Sequence, residues 1–207
     1  MDFHEYLLTQ SQTELASILQ LPFIDGLRSG ELSQISRDYY VAQDEYYVAR
    51  FMDLSLQVEQ LLPPNLRSSI VADTDESDAH LGLAPSNRFK QIEIADHNLA
   101  YLAHIEDTVS SRDPLQGLLA LLPCTESYHL IGKALLNDHS SERYSAWMKY
   151  YVADAYQAGV QWIWQTIDQL VPSFKQVDSD VLASYEAIYQ KSYAFEYDFW
   201  AHAFLKE

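Results

Sequence analysis

Apolar residues recur at spacings of three and four along almost the whole chain, a periodicity that packed α-helices satisfy and strands do not. In SQISRDYYVAQDEYYVARFMDLSLQVEQLL the positions Ile35, Tyr39, Val41, Tyr47, Phe51, Leu54, Val58, Leu61 and Leu62 form one broad stripe. Six glycines and seven prolines in 207 residues are too few for a fold of many tight turns. No segment alternates as a half-buried strand would, and neither an internal repeat nor a low-complexity linker interrupts the pattern. The expectation is an all-α fold, one domain over residues 1–207 built of about seven or eight helices.

Breakers and caps set the expected boundaries. Pro63-Pro64 stops the long helix, and Asn65 caps a short one through Val71. The stretch ADTDESDAHLGLAPSN reads as an acidic, capping-rich connection, followed by a helix from about Arg88 to Val109. Asp113-Pro114 opens another that reaches Leu136, with Pro123 inside it as a kink, since its ring removes one N–H and crowds the preceding turn. Ser140-Ser141 opens a helix to about Leu170, closed by Pro172; Asp178 or Ser179 caps the last, which runs to near Phe204.

Charge and cysteine content exclude whole classes of function. With 13 Lys and Arg against 30 Asp and Glu, the net charge is −17. Such a chain has little with which to replace phosphate counterions, so neither nucleic acid nor an anionic membrane is an expected partner. The single Cys124 rules out an internal disulfide. An acidic start, no long apolar run near it and no stretch of membrane-spanning length lead us to expect a soluble, cytoplasmic protein.

Fifteen Tyr, eight Phe and four Trp form a heavy aromatic load, and many sit one helical turn from a polar or reactive partner. Asp44 pairs in this way with Tyr47, Cys124 with Tyr128, Trp147 with Tyr151, and Glu196 with Phe199 and Trp200. Any single pair fits a core tyrosine anchored by its hydroxyl, and a lone Cys in LLALLPC fits a small buried hydrophobe. Four such pairs on four helices fit a ring-lined pocket with acidic anchors, suited to a planar heterocycle.

The order of these segments resembles the TenA / thiaminase II family, helical proteins with the haem-oxygenase-like fold. The similar stretches are FIDGLRSGEL…DYYVAQDEYYVARF (Phe23 to Phe51), NLAYLAHI (Asn98 to Ile105), LLALLPCTESYHLIGKAL (Leu118 to Leu135), YSAWMKYY (Tyr144 to Tyr151) and SYAFEYDFWAHAF (Ser192 to Phe204). The resemblance implies hydrolysis of aminopyrimidines such as 4-amino-5-aminomethyl-2-methylpyrimidine to the 5-hydroxymethyl pyrimidine, for thiamine salvage, with thiamine itself a further possible substrate. Position by position it implies Cys124 as nucleophile and Glu196 as acid/base. It also implies Asp44 as the holder of the pyrimidine amino edge, with Tyr47, Tyr101, Tyr128 and Tyr151 as pocket walls and Phe199 beside them. No metal or organic cofactor is called for, and the family's habit is a homo-oligomer, commonly a tetramer.

Two departures from the family pattern stand out. Glu126 occupies a position that usually holds an aromatic, and His129-Leu130-Ile131-Gly132 replaces a common Ala-Glu-Ile-Gly. A charged Glu126 reaching the pocket would raise the thiol pKa, although at i+2 from Cys124 the two side chains point apart on an ideal helix. Two other readings remain open at this level. One is a di-iron oxidase on the same fold, with His97 and His104 seven apart and Glu106, His129 and Glu45 as further ligands. The other is a non-catalytic pyrimidine-binding protein.

Overall fold

The computed structural model describes residues 1–68, 77–84, 92–138 and 141–205, and every regular element among them is helical. In chain order the helices are α1 (Phe3–Gln10), α2 (Gln12–Ile18), α3 (Pro22–Ser29), α4 (Gln34–Leu61), α5 (Ser77–Leu83), α6 (Asp96–Ser110), α7 (Pro114–Asn137), α8 (Ser145–Tyr151), α9 (Asp154–Leu170) and α10 (Ser179–His202). That is ten among the described residues, more than the seven or eight expected.

The excess has local causes. The segment read as a connection contains α5, and the helix expected from Ser140 to Leu170 is divided: α8 ends at Tyr151, and Ala153 turns extended (ψ 149°) before α9 begins. Residues 139–140 lie outside the described residues. The short helix expected through Val71 is only a 3-10 turn, Pro64–Leu66, before Arg67 turns extended; residues 69–71 are not described. The helix expected from Arg88 begins at Asp96, since residues 92–95 are not helical and 88–91 are not described.

Several sequence signals act as anticipated. Asp113 caps α7 by accepting from the N–H groups of Leu115 and Gln116, and Asp178 caps α10 by accepting from Asp180 N–H. Helix α7 continues through Pro123 as a single element. Gly30 ends α3 in the left-handed region (φ 80°), where a Cβ would also stand 2.4 Å from Ser141 Oγ; only glycine fits there without strain. On α4 the buried residues are Ser36, Tyr40, Val41, Ala42, Gln43, Asp44, Tyr47, Leu54 and Val58, while Ile35, placed on the stripe by its spacing, is half exposed.

Helix α7 is the centre of the assembly and packs against α4, α6, α8, α9 and α10. Close approach is built into it: a Cβ on Gly117 would stand 2.6 Å from Val58 Cγ2 of α4, and one on Gly132 3.1 Å from the Met148 carbonyl oxygen of α8. The largest fully buried side chains include Trp147, Trp200, Tyr40, Tyr101, Tyr144, Tyr151, Tyr189 and Tyr193, so the interior is ring-packed rather than purely aliphatic. At the periphery, His4 ties α1 to α9, with its Nδ1 2.6 Å from Asp168 Oδ2 and its backbone N–H donating to Asp168 Oδ1 at 3.0 Å.

Candidate active site

Asp44 lies on the buried side of α4 and is 1% exposed, so its carboxylate must be compensated from within the protein. Oδ2 accepts from Tyr40 Oη at 3.1 Å, one turn back on the same helix, and pairs with His80 Nε2 of α5 at 2.8 Å. Oδ1 accepts from the Tyr128 hydroxyl of α7 at 3.0 Å. Trp147 of α8 extends the network by donating its indole N–H to the Tyr40 oxygen at 3.3 Å. Tyr151, one turn beyond Trp147, packs its ring on Tyr128 at 4.9 Å between centroids.

Glu196 of α10 is 2% exposed and stands beside this network. Burial is the main influence on it, and with the nearby Asp44 charge it pushes the carboxyl pKa up to about 7 against the donors Tyr101, Ser127 and Trp200. Ser127 Oγ lies 3.2 Å from Glu196 Oε2. The hydroxyls of Tyr47 and Tyr101 and the indole N–H of Trp200 are sealed from solvent and make no hydrogen bond of regular geometry. Tyr101 and Trp200 nevertheless face Glu196, and Tyr47 faces Tyr101, so the three polar groups gather around one carboxylate.

Cys124 belongs to the same cluster. Its charge as thiolate, together with Glu196, adds to burial in raising the phenol pKa of both Tyr47 and Tyr101 well above the usual value. The rings of Tyr47 and Tyr101 meet at 5.0 Å, and Phe199 packs on Tyr47 at 5.8 Å and edge-on against Tyr40 at 6.2 Å. Cys124, Glu196, Asp44, Tyr47, Tyr101, Tyr128, Tyr151 and Phe199 thus form one contiguous cluster drawn from α4, α6, α7, α8 and α10. Chemically it offers a thiol, a carboxyl poised near neutrality and a fixed carboxylate, all walled by aromatic rings.

Glu126 is turned to a different neighbourhood. Its carboxylate accepts from Tyr189, from Tyr193 at 2.9 Å and from the Trp164 indole at 2.8 Å, and burial pushes its pKa up to about 7. The groups considered as iron ligands are each engaged separately. His97 pairs with the Tyr39 hydroxyl at 3.0 Å and stacks on His202, His104 pairs with Ser192 Oγ at 3.0 Å, and His129 donates to the Tyr151 carbonyl at 2.9 Å. Glu106 is bound by Arg50 at 2.6 Å, and Glu45 is exposed. They do not converge on a common centre. Among the described residues the three clustered metal-type ligands are instead Asp2, His4 and Asp168, at the α1–α9 tie.

Three residues of the cluster escape sequence reasoning: Tyr40, His80 and Ser127. Tyr40 sits one turn from Asp44, the same spacing that singles out Trp200 beside Glu196. His80 and Ser127 carry no such signal, because their partners are 36 and 69 residues away.

The chain is thus an all-helical protein that buries two carboxylates and a ring of tyrosines at its centre, beside a half-buried thiol. Residues 78–206, well over half the chain, match the TENA/THI-4/PQQC family, and the chain belongs to it. It is 25% identical to the aminopyrimidine aminohydrolase of Halalkalibacterium halodurans, an alignment covering 99% of this chain and 96% of that one. It is 26% identical to the aminopyrimidine aminohydrolase of Bacillus subtilis over 90% of this chain and 83% of the relative. Among solved structures, the TenA homologue from P. horikoshii superimposes with a TM-score of 0.81 at 22% identity, covering 98% of both chains. A TenA family protein from Silicibacter, described as a transcription regulator, gives 0.81 at 20% identity over 97% of this chain and 95% of its own. The fold is therefore that of the TenA proteins. Among the described residues no helix is long and apolar enough to cross a membrane.

Proposed function

We propose that the protein is a thiamine-salvage hydrolase that converts an aminopyrimidine, 4-amino-5-aminomethyl-2-methylpyrimidine, to its 5-hydroxymethyl counterpart with release of ammonia. The observation that carries this reading is the grouping of half-buried Cys124 with buried Glu196 and Asp44 in one tyrosine-walled cluster, in a chain aligned over 99% of its length with a relative named for that reaction. Each member has a role that suits its chemistry. Asp44, held by three donors, accepts the amino edge of the ring. Cys124 adds as thiolate to C6 of the pyrimidine. Glu196, with its pKa near 7, delivers a proton to the adjacent ring nitrogen, which makes the ring an electron sink.

Electron flow from the ring then expels the amine from the 5-methylene carbon, taking a proton to leave as ammonia. Water adds to the exposed methylene, the ring nitrogen surrenders its proton, and the C6–S bond breaks to return the thiolate. The balance is one water in and one ammonia out. This chemistry draws on no metal or organic cofactor. Tyr47, Tyr101, Tyr128, Tyr151 and Phe199 wall the ring, and the net charge of −17 attracts the protonated aminomethyl substrate while disfavouring nucleic acid. A homo-oligomeric, cytoplasmic protein completes the reading, supported by the family resemblance and by the lack of a spanning helix among the described residues.

The test is a coupled ammonia assay on the purified protein with the aminomethyl pyrimidine as substrate. Ammonia release matched by formation of the hydroxymethyl pyrimidine supports the assignment. Tight binding of the pyrimidine with no turnover replaces it with a non-catalytic binding protein, and turnover of thiamine in preference shifts the substrate within the same chemistry.

A further inference from the structure

Asp44 is held more tightly than a carboxylate that merely meets a substrate requires. An ionised carboxylate offers about four lone-pair directions. Both directions on Oδ2 are taken, by Tyr40 at 3.1 Å and His80 at 2.8 Å, and one on Oδ1 is taken by Tyr128 at 3.0 Å. One acceptor direction is left, on Oδ1. The three donors are not equivalent. A phenol proton swings about its C–O bond, and the Tyr40 and Tyr128 oxygens lie only 3.4 Å apart, so either hydroxyl can turn toward the other. An imidazole N–H is fixed in the plane of its ring, and the His80 ring is buried and packed edge-on to Tyr40 at 6.5 Å. His80 is the donor that sets the carboxylate's orientation.

His80 is also delivered by its own element. Helix α5 packs on α8 and α4, and a Cβ on Gly82 would come within 3.4 Å of Ala146 Cβ, so the two short helices lie close together. The network therefore joins α4, α5, α7 and α8 through one carboxylate.

We propose that His80 is a positioning residue for aminopyrimidine recognition, its Nε2–H locking Asp44 so that the remaining Oδ1 lone pair faces the amino edge of the ring. The inference rests on the function proposed above. It requires Nε2 to carry a proton, because the facing Oδ2 has only lone pairs to offer. The amide nitrogen of a glutamine reaches nearly the same point as Nε2, whereas phenylalanine keeps the ring and loses the donor.

Calorimetric titration of the reaction product, 4-amino-5-hydroxymethyl-2-methylpyrimidine, into the full-length protein avoids turnover. His80→Phe should weaken binding at least about tenfold, the lower end for a hydrogen bond to a charged group. His80→Gln should recover most of that loss. In an Asp44→Asn background, His80→Phe should add less than about threefold, because the group it positions is already altered. A general packing role predicts the opposite: Phe and Gln variants alike, and losses that multiply. Should the Phe variant fail to fold, His80→Asn, whose amide is too short to reach Oδ2, takes its place with the same expected loss. Wild-type binding matched by a folded donor-less variant overturns the positioning role alone. A wild-type protein that binds no aminopyrimidine overturns the functional reading and the role of His80 with it.

Discussion

Ser127 Oγ sits between Glu196 and the helical turn that carries Cys124, 3.2 Å from Glu196 Oε2 and 3.3 Å from the Cys124 carbonyl oxygen. One hydroxyl proton serves two acceptors here. When Glu196 is ionised, Ser127 donates to it. When Glu196 is protonated, its O–H can donate to Oγ while Ser127 turns to the carbonyl. Both protonation states are thus accommodated, and the ionised one gains the hydrogen bond that offsets part of its burial.

Removal of this donor gives the first prediction. If protonated Glu196 is the acid, activity falls as pH rises through its pKa of about 7. Ser127→Ala takes a charge-assisted hydrogen bond from the ionised form and only a weaker neutral one from the protonated form, so that pKa rises further and the alkaline limb of kcat against pH moves to higher pH. The pH profiles of the two proteins check this; a limb that stays put or moves down breaks the Ser127–Glu196 link.

Cys124→Ser tests the nucleophile. A serine hydroxyl has no comparable anion at neutral pH, so turnover of the aminomethyl pyrimidine should be lost while product binding stays largely intact. Retention of more than about a tenth of wild-type kcat is far above what loss of a nucleophile allows and contradicts the covalent role.

The two carboxylates should separate in kinetics. Glu196→Gln removes the proton donor but keeps shape, so kcat should fall by about a hundredfold or more with little change in Kd. Asp44→Asn replaces an acceptor facing three donors and the amino edge of the ring, so it should weaken binding as well as turnover. Measured kcat and Kd for both variants decide between them, and equal losses in both parameters mean the roles are wrongly divided.

Much of this arrangement is legible in the sequence, for a physical reason. Asp44, Tyr47, Cys124, Tyr128, Glu196 and Phe199 lie on long helices, where a one-turn spacing forces partners onto a common side. His80 is hidden because α5 has only seven residues, too few for its periodicity to stand out from the capping-rich acidic residues around it. The break between α8 and α9 is hidden as well: YYVADAYQ contains neither glycine nor proline, and its apolar spacing runs on across Ala153. Ile35 matches the stripe of α4 yet is half exposed, since it lies in the first turn. Glu126 is visible in the sequence only as a departure near the thiol; the partners that give it a place, Trp164, Tyr189 and Tyr193, belong to helices far along the chain.

Glu126 supplies the last prediction, one of stability rather than catalysis. Its carboxyl has a folded-state pKa of about 7 against an ordinary value of 4.5, raised by burial despite three donors. Below pH 4.5 the group is neutral whether the chain is folded or not. As pH rises from 4.5 to 7 the unfolded chain ionises first, so this group's favourable contribution is progressively lost, and above about 7 the loss is complete. At roughly 1.4 kcal/mol per pKa unit, the whole window amounts to about 3 kcal/mol. Glu126→Gln keeps an oxygen acceptor for the tyrosines and the indole but never ionises. Its buried amide N–H groups carry a cost of about 1–3 kcal/mol that is the same at every pH. The pH dependence of the difference between the two proteins is therefore the quantity to read. Between about pH 5.5, kept above the isoelectric point of about 4.6, and about pH 8, the variant should gain on the wild type by about 2 kcal/mol. Urea unfolding at the two pH values measures this, with Glu196 cancelling because both proteins carry it. Parallel behaviour of the two proteins across the window would mean that Glu126 ionises at its ordinary pH in the folded protein, and that its three donors outweigh its burial.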